Sequence, residues 1–568
     1  RFPIRLVESG PAAGALAGCR RAEKPAVGRL AVLPFENLTG DASLDWAGAA
    51  FPAVIIEQAS GSTHRFPYPA SDLRAARLSG ALHALEGYVT RRGARLVYHA
   101  VLENLATGRM DGVFDAESAL HAGVAEAADS VARALDPSAR PFGTRNAAAI
   151  EFWGRAIVSV DAESKARELE QAIAADPNFG AAYTDLVEVW LARADAARWA
   201  DGVQRGEQRA GQFNEFERAR FQVAAAGARN DANARREALL ALSRLVPADI
   251  ETLRVLDQYE VAARRFPSAV ELYRRALSIE PANAAVLNEL GYAEVYNGNL
   301  EGARQALERY RAIQPDDPNA LDSLGEAHFT AGRFAEAEKY FLEGQRMAPR
   351  FQGGVDLLKG AQARVLQGNL SGADELYSQF EKSRGGDPVA GLRRAQWLFL
   401  TGRAPQAMAA AEAASKGPNP EMNAYAFCHL ALWSMDLGDR AKASGYAAQA
   451  AQARSPAIRR LAALSVAEAG GAVPGPVGDL GRAMAELYAR NAAAAVPTLA
   501  LLYERSQPTI DGEVRTLYAW ALADSGKREE AKLLVTRYFQ PLGLQEDSLL
   551  AATLFPRFLA LRKSLGVN

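Results

Sequence analysis

Leu290-Gly291-Tyr292-Ala293-Glu294-Val295-Tyr296-Asn297-Gly298-Asn299-Leu300-Glu301-Gly302-Ala303 is answered 34 residues later by Leu324-Gly325-Glu326-Ala327-His328-Phe329-Thr330-Ala331-Gly332-Arg333-Phe334-Ala335-Glu336-Ala337. The leading Leu-Gly, the later glycine and the closing alanine keep their places, and Leu307 and Pro315 return as Phe341 and Pro349. A glycine followed five residues later by an alanine recurs through the second half of the chain, at Gly298/Ala303, Gly332/Ala337, Gly368/Ala373, Gly402/Ala407, Gly438/Ala443 and Gly526/Ala531. Spacings of this size belong to helical hairpin repeats. The glycine ends the first helix of each hairpin, where a left-handed residue is needed. The alanine lets the second helix pack closely on the first, and a proline closes the unit. Pro247, Pro281, Pro315 and Pro349 follow one another at the same 34-residue interval. The larger part of the chain therefore reads as an all-α solenoid, in which each unit touches only its neighbours and 568 residues need no single core.

The pattern resembles the tetratricopeptide repeat. In that family the second, fifth, ninth, twelfth and thirteenth positions of each first helix face a concave groove. The register places there Arg254 and Gln258, then Asn288, Tyr292, Val295 and Tyr296, then Asn319, Asp322, Glu326 and Phe329. Amides, tyrosines and carboxylates around an apolar centre suit a protein or peptide partner. They do not resemble the repeats that clamp a C-terminal carboxylate, which carry lysine and arginine on consecutive groove positions. The alternative is a solvated face on a structural rod. Tyr292 and Tyr296, one turn apart, are expected to stand exposed together beside Asn288 and Phe329.

The solenoid is expected over 145–472. A first hairpin runs from Ala147 through Trp153 to Leu169, Ala172 and Pro177, and a second, less regular one from Ala182 to about Ala225. Beyond Pro349 two-residue insertions appear. Val473-Pro474-Gly475-Pro476-Val477-Gly478 opens a break over 473–482, because it holds neither helix nor strand. Further hairpins and a capping helix at Leu554-Phe555-Pro556-Arg557-Phe558 fill 483–568, for some ten helical pairs in all.

Residues 28–140 have a different texture. Arg29-Leu30-Ala31-Val32-Leu33-Pro34-Phe35 is a buried-type strand, Glu36-Asn37-Leu38-Thr39-Gly40-Asp41 a polar loop, and Leu44 to Gln58 an amphipathic stretch. Two β-branched and aromatic runs, 84–90 and 94–104, flank Arg91-Arg92-Gly93 as a hairpin, and a helix over about Gly123 to Leu135 completes an α/β unit. The order LAVLPFENLTGD, LEGYVTRRGARLVYHAVLENLATG, helix resembles the TolB-like amino-terminal domain, a small non-catalytic interaction or sensing module that precedes tetratricopeptide repeats in bacterial envelope and regulatory proteins. That family carries an aromatic-rich strand after the Ala106-Thr107-Gly108 turn. Here Arg109-Met110-Asp111-Gly112-Val113-Phe114 replaces it, so an altered sheet edge is expected. Asn37, Thr39 and Asp41 stand where α/β folds bind ligands, but such a loop more simply caps the next helix, through Asp41 or Ser43.

Residues 1–27 read as a leader or tether. Leu16-Ala17-Gly18-Cys19 resembles a lipobox, which implies lipidation of Cys19. Arg1 and Arg5 give a basic start, while Glu8, Ser9, Gly10 and Pro11 interrupt the apolar region. The other reading is a disordered tail. No run of 18 apolar residues spans a bilayer, so membrane contact is expected only through a lipid anchor.

Charge and motifs narrow the function. The net charge is −2, and the first 140 residues carry fifteen basic and fifteen acidic side chains, so no field draws nucleic acid. Two cysteines, Cys19 and Cys428, make no disulfide framework. No phosphate-binding loop, zinc-protease or nucleophile-elbow motif occurs, and the six histidines lack metal-ligand spacing, so neither enzyme activity nor a cofactor is expected. His328 reads as a satisfied interior histidine and Cys428 as a small buried hydrophobe. Trp397 and Trp433, each five residues before a turn glycine, read as packing residues. Two functions stay open: a lipid-tethered protein-interaction scaffold of the periplasm or outer membrane, and a structural protein associating with copies of itself into oligomers or extracellular filaments. A weaker third is a cytoplasmic sensor lacking its output domain.

Overall fold

The computed structural model describes residues 28–385, 389–465, 478–508, 511–539 and 549–567. Cys19 and the lipobox lie outside the described residues, as do residues 473–477 of the break expected over 473–482; the rest of that break is helical, since helix Gly478–Tyr488 begins within it.

The amino-terminal part is built from β1 (Gly28–Val32), β2 (Glu36–Asn37), α1 (Asp45–Ala59), β3 (Arg65–Pro69), α2 (Leu73–Leu78), β4 (His83–Arg92), β5 (Arg95–Asn104), β6 (Arg109–Ala119) and α3 (Val124–Leu135). One sheet runs β3-β1-β4-β5-β6, with β2 beside β4. Strand β1 is parallel to both neighbours, and β4-β5-β6 form an antiparallel meander whose first turn uses Gly93 at φ +61°. The sheet edge expected to be altered is a full strand of eleven residues. Its departure is a bulge: Leu102 pairs with Gly112 and Glu103 with Met110, leaving Asp111 between them, where it meets His83 Nε2 at 3.1 Å. The polar loop caps a 3₁₀ turn, Ala42–Leu44, rather than α1 itself, whose N-cap Leu44 makes no side-chain cap hydrogen bond. Asn37 Nδ2 donates to the Asp41 carbonyl and the Asp45 carboxylate, and Asp41 accepts from the Ser43 N–H.

Helix α1 is buried on all sides rather than amphipathic. Sheet and α3 cover one side and the first solenoid helix, Ala147–Val158, the other, so that even Glu57 and Gln58 are buried. Phe51 stacks on Tyr98 with ring centres 4.0 Å apart, and the core they begin continues without interruption through Trp153 and Phe179 to Ala225. The α/β part and the first hairpins therefore share one hydrophobic core.

Eleven helical hairpins follow among the described residues, one more than the expected ten. The segment expected as a second hairpin holds Gly180–Ala192 with Ala196–Arg209, after which Glu215–Ala228 opens a third. The repeat glycine is missing there because the turns at Ala194, Asn230 and Arg264 place non-glycine residues at φ between 54° and 56°. Where the glycines occur, the expectation holds: Gly298, Gly332, Gly368, Gly402, Gly438 and Gly526 all lie between φ +76° and +88°. Their alanine partners have no solvent exposure. Gly291 serves close approach instead, since a Cβ there would lie 2.5 Å from Leu307.

First helices of successive hairpins touch one another, Ala284–Tyr296 against Pro318–Thr330 for example, more closely than second helices do, so the stack curves with first helices inside. The carboxy-terminal hairpins come back across this curve. Helix Leu549–Ser564 lies against Ala390–Leu400 and Pro420–Asp436, with Trp433 Nε1 donating to Thr553 Oγ1 at 3.0 Å. Tyr538 N–H donates to the Thr330 carbonyl at 3.1 Å. Trp397 and Trp433 are fully buried, stacked on Tyr377 and Phe399.

Candidate functional site

The inside of the curve divides into a stretch open to solvent and a stretch covered by the chain itself. In the open stretch Arg254 and Gln258 stand exposed on helix Ile250–Ala262. Asn288 is half-buried on the next first helix, and its Oδ1 is sheltered from water without a hydrogen-bond partner. Tyr292 is half-buried, its hydroxyl donating to Glu326 Oε2 at 2.8 Å.

Beyond Tyr292 the expected exposure is not found. Tyr296 stacks on Tyr292 and is buried beneath the Arg537 guanidinium, 4.7 Å from its ring centre. Val295 is buried, and Phe329 is wholly buried against Phe334 and beside Tyr538. Asn319 does not turn into the groove: its Nδ2 donates to Tyr310 Oη at 3.2 Å, toward the preceding second helix. An exposed tyrosine pair thus gives way to one half-buried and one buried ring, because residues more than 200 positions downstream fill the groove.

Two ionic centres hold the covered stretch. In the first, Lys359 Nζ lies 2.5 Å from Asp322 Oδ1 and 2.6 Å from Glu326 Oε1, its side chain 7% exposed. Burial, with Glu326 alongside, pushes the Asp322 carboxyl up to about 8 against the pull of Lys359. The two carboxylates hold the Lys359 ammonium well above its ordinary range despite burial. Three consecutive first helices are joined by this network, since Tyr292 reaches Glu326 and Lys359 comes from Val355–Leu366. In the second centre, buried Asp511 meets Arg264 at 3.1 Å, Arg537 at 3.2 Å and Arg515 at 3.4 Å. Arg264 belongs to the turn of the fourth hairpin and also lies 3.9 Å over the Tyr503 ring, so one carboxylate fastens the returning arm to the middle of the stack.

The remaining candidates are structural. His328 is buried as expected but not satisfied by hydrogen bonds. Neither ring nitrogen has a partner, the ring lies against Tyr340 at 5.4 Å, and burial lowers its pKa. Cys428 is buried, with its thiol pushed up to about 12 by desolvation, and His429 is held by Tyr425 and Gln396 and brought down to about 4 by burial, so the two form no dyad. No group of metal-binding side chains occurs among the described residues.

Sequence reasoning missed Lys359, Asp511 and Arg537. A lysine inside the apolar run Val355-Asp356-Leu357-Leu358-Lys359-Gly360-Ala361 was the available signal, because a buried cation demands an anion.

Residues 260–324 match the tetratricopeptide repeat family, so the chain carries tetratricopeptide repeats. No curated protein sequence matches it. Among solved structures, a tetratricopeptide repeat protein from Parabacteroides merdae is 18% identical, covering 44% of this chain and 98% of that one with a TM-score of 0.31. PilW, a type IV pilus biogenesis factor, is 19% identical over 36% of this chain and 92% of its own, with a TM-score of 0.28. MamA protein is 17% identical over 29% and 89%, with a TM-score of 0.26.

Proposed function

We propose that this chain is a non-enzymatic scaffold of the bacterial cell envelope, holding a protein partner in the open stretch of its concave face, with its α/β part acting as a TolB-like interaction module. The observation that carries the reading is the Asn288 carbonyl oxygen, sheltered and unpartnered beside the exposed Arg254 and Gln258. A buried acceptor left unmet costs about 1–3 kcal/mol. A backbone N–H from a bound segment meets that need, and an amide, an arginine and a tyrosine ring in line give it polar and apolar contacts. Beyond Tyr292 the chain covers its own groove. Tetratricopeptide repeats are protein-interaction scaffolds, in agreement with this assignment.

The double change Gln258→Ala and Asn288→Ala alters side chains without structural partners in the chain. It is expected to leave the melting temperature within about 2 °C while weakening partner retention by about 2 kcal/mol, roughly thirtyfold. Retention from a native envelope extract, quantified against the parent, checks this; equal retention removes the open stretch from the function.

The tether completes the proposal. No helix among the described residues is long and apolar enough to cross a membrane, and the resemblance of Leu16 to Cys19 to a lipobox supplies another way to hold the protein there. Cys19→Ala is expected to move the protein from the membrane to the soluble fraction and to abolish labelling by a lipid precursor. Undiminished membrane association in that variant contradicts the tether.

A further inference from the structure

Where α1 and β3 meet the first four hairpins they enclose a cleft of about 800 Å³. Ile56, Phe66, Trp153 and Phe216 contribute apolar and aromatic wall. Glu57 faces this space. It is 6% exposed, its Oε2 lies 3.9 Å from Arg220 Nη1, beyond hydrogen-bond distance, and its Oε1 has no hydrogen-bond partner. Arg220 is drawn equally toward Asp185, at 3.8 Å, so it does not complete the Glu57 carboxyl. A buried carboxyl with an empty oxygen beside a cleft of ligand size is a site in want of a donor.

The lining also states the sign of the donor. Besides Glu57, which keeps its proton up to about pH 8, four carboxylates, Asp185, Asp249, Glu251 and Glu280, face three guanidiniums, Arg29, Arg220 and Arg254. Two of the three are paired within the lining, Arg29 with Glu280 and Arg254 with Glu251, which leaves Asp185 and Asp249 facing Arg220. The surplus is negative. One unpartnered oxygen calls for a point donor rather than the two-pronged fork of a guanidinium.

We propose that this cleft binds a primary alkylammonium group, the ammonium donating to Glu57 Oε1 in the negative potential of Asp185 and the aliphatic stem lying along Phe66 and Phe216. A lysine side chain of a partner and a free alkylamine share this chemistry. The cleft shares Arg254 with the open stretch but is lined by neither Gln258 nor Asn288, so substitutions at those two and at Glu57 test the two readings separately.

Calorimetric titration of the full chain with n-butylammonium, and with the capped peptide Gly-Lys-Gly, tests it. Both are expected to bind, and Glu57→Gln to weaken both at least tenfold, with Asp185→Asn acting in the same direction. A peptide bound tenfold or more tightly than the amine assigns the cleft to a partner's lysine, and equal affinities assign it to a free amine; either supports the site. The proposal is overturned if neither ammonium binds, if both variants bind like the parent, or if butyrate or the capped peptide Gly-norleucine-Gly binds as well.

The Glu57→Gln variant is expected to fold. Burial pushes the Glu57 carboxyl up to about 8; Glu217 and Asp185 add to the shift, and Arg220 and Arg140 oppose it. The folded chain thus keeps this proton to higher pH than the unfolded chain, whose carboxyl titrates near 4.5, and the stability due to Glu57 is lost as pH rises from about 4.5 to about 8. Melting curves should coincide for Glu57→Gln and the parent near pH 5, with the variant melting higher at pH 8. A variant that melts lower at pH 8 contradicts this account of Glu57.

Discussion

Lys359→Met is expected to cost about 3–5 kcal/mol of stability at pH 8, because it leaves two carboxylates buried without their cation. The side chain that replaces Lys359 has similar length and fills the space, so packing alone predicts a far smaller loss. The origin of the loss is readable from its pH dependence. With the ammonium gone, Asp322, already raised by burial, takes up its proton more readily in the folded chain than in the unfolded one. The deficit should therefore shrink as pH falls toward 5, where Asp322 is neutral. Chemical denaturation at the two pH values checks this. A deficit that is small, or equal at both, means that the Lys359 network does not join the three first helices it touches.

Asp511→Asn should produce a loss of similar size, about 3–5 kcal/mol, from the opposite cause: three guanidiniums left around one neutral amide. Its consequence is expected to be local. Arg264 lies in the fourth hairpin while Arg515 and Arg537 lie in the returning arm, so losing their shared anion releases the arm from the stack before the stack itself opens. Hydrogen exchange should quicken over Gly512–Asp524 and Arg528–Leu534, and at the buried faces of Tyr296 and Phe329, while the first three hairpins keep their protection. Uniform quickening along the chain would mean that Asp511 supports the general fold rather than the closure.

The hairpins between Ala284 and Met347 were legible in the sequence because their geometry is local. A left-handed turn needs a glycine, a close helix pair needs an alanine, and both recur at a fixed spacing. Where Ala194, Asn230, Arg264 and Arg490 take the left-handed conformation themselves, the turn is present and the signal is not, which is why the region around 182–225 reads as one irregular hairpin. The covered half of the groove was not legible for a different reason. Position within a repeat states which way Tyr296 and Phe329 point, but not that Arg537 and Tyr538 lie on them. That contact joins residues far apart in the chain and leaves no period. Helix α1 shows the same limit. Its polar residues, Glu57 and Gln58, suggest a wet face, yet a solenoid helix covers that side and turns Glu57 into the buried carboxyl of a cleft.

What the open stretch and the covered stretch imply together is most directly tested by a photo-crosslinking residue placed at Gln258, inside the curve, and at Glu301, exposed on second helix Leu300–Ile313. The account predicts that in native cells the probe at Gln258 captures a discrete protein partner, that the capture is lost when Asn288→Ala is added, and that the probe at Glu301 captures nothing comparable. Capture at Glu301 and none at Gln258 would contradict the claim that this chain binds a partner inside its curve.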